Sequence, residues 1–80
     1  MSTITTERVE QVVFQALESF GAEPGAISRD VTFAQLDIDS LDLAELSQIV
    51  DEEFGAPLKA DDVKQIKTVG DAIDLIAARG

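Results

Sequence analysis

Ser40 is the residue of this 80-residue chain around which chemistry could be organised. It sits in the stretch Thr32-Phe33-Ala34-Gln35-Leu36-Asp37-Ile38-Asp39-Ser40-Leu41-Asp42-Leu43-Ala44-Glu45-Leu46. As a catalytic nucleophile it fails, because the chain has no histidine to activate it and no lysine nearby in sequence. A hydrolase built on paired carboxylates is also poorly served. The acids fall on one exposed helix face, where nothing raises a pKa or encloses a substrate. Asp37-Ile38-Asp39 has the look of a calcium loop, but the spacing then demands a ligand at 41, Gly at 42 and Glu at 48. The chain has Leu41, Asp42 and Gln48 there. With no cysteine either, no metal site is expected. No residue is therefore assigned a catalytic role, and the chain is not expected to be an enzyme. What remains is a serine that becomes modified. Its hydroxyl falls in the first turn of a helix, where backbone N–H groups and the helix dipole favour a phosphate.

The elements that must position Ser40 follow from apolar spacing. Val9, Val12, Val13, Ala16, Leu17 and Phe20 form a stripe at helical spacing, which predicts a first helix over 6–20. Thr5 is its expected N-cap, Ile4 its staple partner for Val9, and Gly21 with Pro24 its stop. Residues 21–39 form a long connection. Its spaced apolar residues Ile27, Val31, Phe33, Leu36 and Ile38 predict that it packs across the bundle. A second stripe, Leu43, Leu46, Ile49, Val50 and Phe54, predicts a helix over 40–54, with Asp39 at the N-cap and Asp42 as its box partner. A short turn from Asp61 to Ile66 follows. Thr68 then caps a last helix, with Asp71 at the box position and Arg79 and Gly80 at its end. The expected fold is all-α: a four-helix bundle with a short third helix and a long loop between helices I and II. No repeat or linker divides the chain, so 1–80 is expected to be a single free-standing domain.

Charge is distributed unevenly. The formal net charge is −10, from 16 acids and 6 bases. No base lies between Arg29 and Lys59, a stretch holding Asp30, Asp37, Asp39, Asp42, Glu45, Asp51, Glu52 and Glu53. The face of helix II opposite Leu46 and Val50 carries Leu41, Ala44, Glu45, Gln48 and Glu52. Solvated faces ordinarily mix signs. A one-sign face with spare Leu and Ala reads better as a docking surface for a basic partner. The expected partner-binding set is Asp39, Leu41, Asp42, Ala44, Glu45, Gln48 and Glu52, with Leu58. The same balance disfavours nucleic acid, whose phosphates need clustered Lys and Arg, and an anionic membrane surface. No apolar run approaches a membrane-spanning length and no secretory signal is expected at the N-terminus. A cytoplasmic monomer is the expectation.

The pattern as a whole resembles the acyl carrier proteins. The resemblance rests on Asp39-Ser40-Leu41 at the start of helix II, with Leu36 four residues before the serine and Glu45-Leu46 five and six after it. It extends to the helix I stripe, to Glu52-Glu53-Phe54 and to Thr68-Val69, and so covers the whole chain. The resemblance implies that a phosphopantetheinyl transferase attaches 4′-phosphopantetheine to Ser40, making the chain a phosphoprotein. The terminal thiol of that arm then carries acyl groups as thioesters in type II fatty acid or polyketide biosynthesis. It implies synthase partners with basic docking patches: ketosynthase, acyltransferase, reductase and dehydratase. It also implies a soft interior for the acyl chain, with Val12, Leu46, Val50, Leu58, Val63, Ile66 and Ile76 as the expected lining. An aminoacyl or peptidyl carrier ranks lower, since those usually place Gly-Gly before the motif and this chain has Asp37-Ile38. A non-carrier helical docking module is the third reading, opposed by the intact Ser40. The chain departs from the common pattern at Asp37, where Gly is usual, and at Gln48, where an apolar residue is frequent. Phe33, seven before Ser40, is a spacing associated more with polyketide-type carriers.

Overall fold

The starts of the three long helices are written in side chains that accept a hydrogen bond from the third residue on, and the computed structural model follows them. It describes residues 5–55 and 57–79. Among these, four α-helices form: α1 Thr6–Ser19, α2 Ser40–Phe54, α3 Ala60–Gln65 and α4 Val69–Arg79. At α1 the Thr5 hydroxyl accepts from the Arg8 N–H at 3.1 Å. The helix ends in a Schellman motif, with Gly21 N–H donating to Glu18 and Ala22 N–H to Leu17. Gly21 takes φ +105° to do so. At α4 the Thr68 hydroxyl accepts from Asp71 N–H, and the Asp71 carboxylate accepts from the N–H of Thr68 and of Lys67. The expected staple at Ile4 and the closing Gly80 lie outside the described residues.

The long connection is structured. Short 3-10 turns form at Pro24–Ala26 and Ala34–Leu36. A Thr32–Gln35 pair of reciprocal hydrogen bonds, 2.8 and 3.1 Å, frames the second turn. Ile27, Phe33 and Ile38 are buried, as the spaced apolar residues predict. One link was not foreseen. Residues 29–33 run antiparallel to 67–70, with an isolated bridge between Thr32 and Thr68. Phe33 N–H donates to Lys67, Val69 N–H to Val31 and Gly70 N–H to Arg29. Two N–H groups at the start of α4, which the helix itself cannot satisfy, thus find carbonyls in the loop. Gly70 permits this approach: a Cβ there would lie 2.9 Å from the Arg29 carbonyl oxygen.

α1 packs against both α2 and α4. The core is aliphatic. Val9, Val13, Leu17, Leu46, Val50, Val69, Ile73 and Ile76 are fully shielded. Each such Val, Leu or Ile contributes about 1.5–3 kcal/mol relative to exposure. Val12 is buried on α1 but stands outside the contiguous core. From α2, only Leu46 and Val50 are fully interior, while Leu43, Ile49 and Phe54 are half-buried at its margins. No helix among the described residues is long and apolar enough to cross a membrane.

Candidate functional site

Asp39 caps α2, and this frees its neighbour. The Asp39 carboxylate accepts from Asp42 N–H at 3.0 Å, and the Asp42 carboxylate accepts from Asp39 N–H at 3.4 Å. This is the reciprocal box expected from the sequence. Ser40 is then the first residue of the helix, exposed, with no hydrogen bond to its hydroxyl among the described residues. The chain turns toward this point at Asp37, just after the 3-10 turn. Asp37 takes the left-handed conformation, φ 59° and ψ 32°, and is the one non-glycine residue to do so among those described. An Asp can hold the position a Gly would hold more easily. Ile38 N–H then bonds Phe33, and the chain enters the helix.

A cleft of about 390 Å³ opens beside Ser40. Its α2 wall is Ser40, Leu43, Ala44 and Ser47; its other wall is Leu58 with Ala60, Val63 and Lys64 of α3. The Ser47 hydroxyl donates to the Leu58 carbonyl at 2.9 Å and accepts from the Leu58 N–H at 3.0 Å. This pair of hydrogen bonds fixes the segment entering α3 against the middle of α2. A second hollow, of about 370 Å³, lies between Leu43 and the loop, lined by Thr32, Phe33, Ala34, Ile66 and Lys67. Leu43 borders both.

The residues expected to line the acyl interior divide between these hollows and the closed core. Of the seven residues named for it, Leu58 and Val63 line the cleft beside Ser40, and Ile66 lines the adjoining hollow. Leu46, Val50 and Ile76 are fully shielded in the closed core, and Val12 is buried on α1. The cleft is also lined by Leu43, Ala44, Ser47, Ala60 and Lys64, which are not among the seven. Helical spacing points to Leu43 and Ala44, three and four residues on from Ser40 and so one turn away beside it.

The residues expected for docking on helix II fall on the outside of α2. Leu41, Ala44, Glu45 and Gln48 line one shallow groove on the outside of α2. Leu41 is 77 % exposed, the one large hydrophobic residue so placed among those described. Glu52 is exposed further along the same helix, and Asp39 is exposed at its start. Asp42 is half-buried and engaged in the cap. Leu58, also expected to bind a partner, is 7 % exposed, with its backbone held to α2 by Ser47, and it faces the cleft.

Of the acids between Arg29 and Lys59, only Glu53 forms an ion pair among the described residues, with Arg8 at 3.3 Å. The other arginines also serve internal contacts. Arg29 bridges Asp74 at 2.6 Å and Glu10 at 3.8 Å. Arg79 grips Asp62 through two bonds of 2.5 and 2.6 Å and reaches the Pro57 carbonyl. Asp62 is buried, a role the sequence reading did not give it. The Arg79 guanidinium, aided by the Lys59 N–H, holds the Asp62 carboxyl below the usual carboxylate range. Hydrogen bonds from the N–H groups of Thr68 and Lys67 do the same for Asp71.

Comparison with known proteins agrees with this architecture. The family model described as "Phosphopantetheine attachment site" matches residues 10–76. The acyl carrier protein of Zymomonas mobilis is 38% identical over 73 residues, 90% of each chain. That of Chlamydia trachomatis serovar D is 38% identical over 64 residues, 79% of this chain and 83% of the relative. That of Acidothermus cellulolyticus is 50% identical over 42 residues, 52% of this chain and 50% of the relative. A helical fold with Ser40 bare at a helix start, a match to the attachment-site family across most of the chain and relatives that are carriers lead to one assignment: the chain belongs to the acyl carrier proteins, whose cofactor is phosphopantetheine.

Proposed function

We propose that Ser40 is the attachment point of the 4′-phosphopantetheine arm. On this reading the whole chain, 1–80, is one carrier domain that delivers acyl thioesters to the enzymes of fatty acid or polyketide synthesis. The observation that carries the reading is the division of labour at the start of α2. Asp39 supplies the cap, so the Ser40 hydroxyl is exposed and unengaged among the described residues. The surroundings suit the arm. The first turn of a 15-residue helix favours a phosphate, and the adjacent cleft is mostly apolar. Once attached, the arm supplies a thiol, which the chain itself lacks.

The chain's own residues present the arm. Leu41, Ala44, Glu45, Gln48 and Glu52 offer an acidic, partly apolar face to a transferase and to synthase enzymes with Lys or Arg patches. Each rim pair contributes only about 0.2–1 kcal/mol. The summed field acts mainly on the association rate. The chain works as a monomer in the cytoplasm and catalyses nothing itself.

Loading tests the assignment. The protein is incubated with a phosphopantetheinyl transferase and coenzyme A, and its intact mass is measured. Wild type should gain one phosphopantetheinyl group, and Ser40→Ala, still helical by circular dichroism, should gain none. A loaded Ser40→Ala protein would overturn the site.

A further inference from the structure

The six bases divide cleanly. All three arginines are committed to ion pairs within the fold. None of the three lysines has an ion-pair partner among the described residues, and all three are exposed on or beside α3. They face different places. Lys59 borders a hollow with Gly55, Pro57 and Arg79. Lys67 borders the hollow on the loop side of Leu43. Lys64 alone shares the cleft with Ser40.

The charges nearest Ser40 along the chain are Asp37, Asp39 and Asp42, all negative. A phosphodiester placed on the Ser40 oxygen adds another negative charge to that cluster. The positive end of α2 offsets part of this. The remaining cation within the same cleft is the Lys64 ammonium, a compact charge on a flexible four-carbon stem. An anion bridging from α2 toward α3 also gives the arm a direction, along the apolar walls and away from the acidic outer face.

We propose that Lys64 is a phosphate-holding, positioning residue, which pairs with the phosphodiester of the arm and steers the arm into the cleft between α2 and α3. This rests on Ser40 being the attachment point. The contact is an exposed ion pair, so it should shift the melting point of a domain this size by roughly 1–8 °C.

The test uses the apo and holo forms of wild type, Lys64→Gln and, as a control of equal charge change, Lys67→Gln. Two quantities are measured at low and at about 1 M salt, where the screening length shrinks to roughly 3 Å. One is the holo-minus-apo melting difference, in which the effect of each substitution on the apo protein cancels. The other is the phosphorus-31 resonance of the holo protein. Lys64→Gln should lower the melting difference by that amount and move the resonance. Lys67→Gln should leave both at wild-type values, and high salt should erase the distinction. Equal melting differences and resonances for wild type and Lys64→Gln would overturn the proposal, as would an equal response from Lys67→Gln. Failure of the underlying assignment looks different: the intact mass would show no phosphopantetheinyl group on wild type, or would show one on Ser40→Ala.

Discussion

Gly70→Ala sets two physical effects of opposite sign against each other. Gly70 lies in the first turn of α4, and helix propensity alone favours Ala by about 1 kcal/mol. The contact with the loop opposes this. The added Cβ would sit 2.9 Å from the Arg29 carbonyl oxygen and 3.2 Å from its Cβ. The first of these neighbours is backbone, which cannot swing aside like a side-chain tip. To relieve the overlap, residues 29–31 must move off α4, and the bonds from Gly70 N–H to Arg29 and from Val69 N–H to Val31, both 2.9 Å, lengthen together. Both donors belong to buried residues. A buried donor left without a partner costs about 1–3 kcal/mol. Two such losses less the propensity gain leave a net cost of about 1–5 kcal/mol. An 80-residue domain has roughly 4–12 kcal/mol in hand. At 4–8 °C per kcal/mol the melting point should fall by at least about 4 °C. Thermal melts followed by circular dichroism at 222 nm, with urea titrations for the free energy, measure this. Gly25→Ala is the control. Nothing lies within 4 Å of a Cβ there, and the loss of unfolded-state freedom should leave it neutral or up to about 1 kcal/mol more stable. A Gly70→Ala protein as stable as wild type, or more so, would show that the loop does not need its grip on α4.

Charge reversal at Glu45 and Glu52, both exposed on α2, should leave the melting curve almost unchanged. It should slow Ser40 loading by a transferase, more at low salt than at high; equal rates and equal salt slopes would remove α2 as the docking face. Asp37 holds φ 59°, so Asp37→Gly should match or exceed wild-type stability, while Asp37→Val should cost about 1–2 kcal/mol in urea titration. Equal midpoints for Val and wild type would show that this turn relaxes freely. Asp62 and Asp71 are held below the usual carboxylate range by their partners in the folded state. A lowered folded pKa gives stability that is fully present above the unfolded value, about 3.9, and is lost as pH falls through the folded value. Acid titration of wild type should therefore show loss of stability below about pH 4. Arg79→Gln should be less stable at neutral pH and lose less on acidification; parallel curves would refute the role of the Arg79 grip.

What the sequence disclosed was whatever side chains encode locally. Thr5, Asp39 and Thr68 each stand three residues before the N–H they cap, so every long helix start was readable. The outward face of α2 was readable too, because helical spacing alone puts Leu41 and Glu45 opposite Leu46. The loop-to-α4 pairing was hidden because backbone–backbone bonds leave no residue signature. Its single trace was Gly70, an isolated glycine inside a helical pattern, which marks close backbone approach. The burial of Asp62 was hidden for another reason. Its partner Arg79 lies 17 residues away, and charge alone places an Asp outside. The cleft lining was not legible because an apolar stripe identifies a core without saying which of its members sit at a margin. Leu43 belongs to the same stripe as Leu46, yet one borders two hollows and the other is sealed.

The Ser47 hydroxyl, spent in both directions on the Leu58 backbone, bears on the safety of cargo. A thioester is an acylating agent, and whatever holds one must offer nothing for it to acylate. The chain has no cysteine and no histidine. Ser40 is consumed by the arm itself on the proposed reading. Ser47 is then the hydroxyl left in the cleft, and its proton already points at a carbonyl with no base at hand to take it. Lys64, as an ammonium, carries no lone pair to attack with. The lining thus offers no nucleophile, and a group tucked into it is protected by what the walls cannot do.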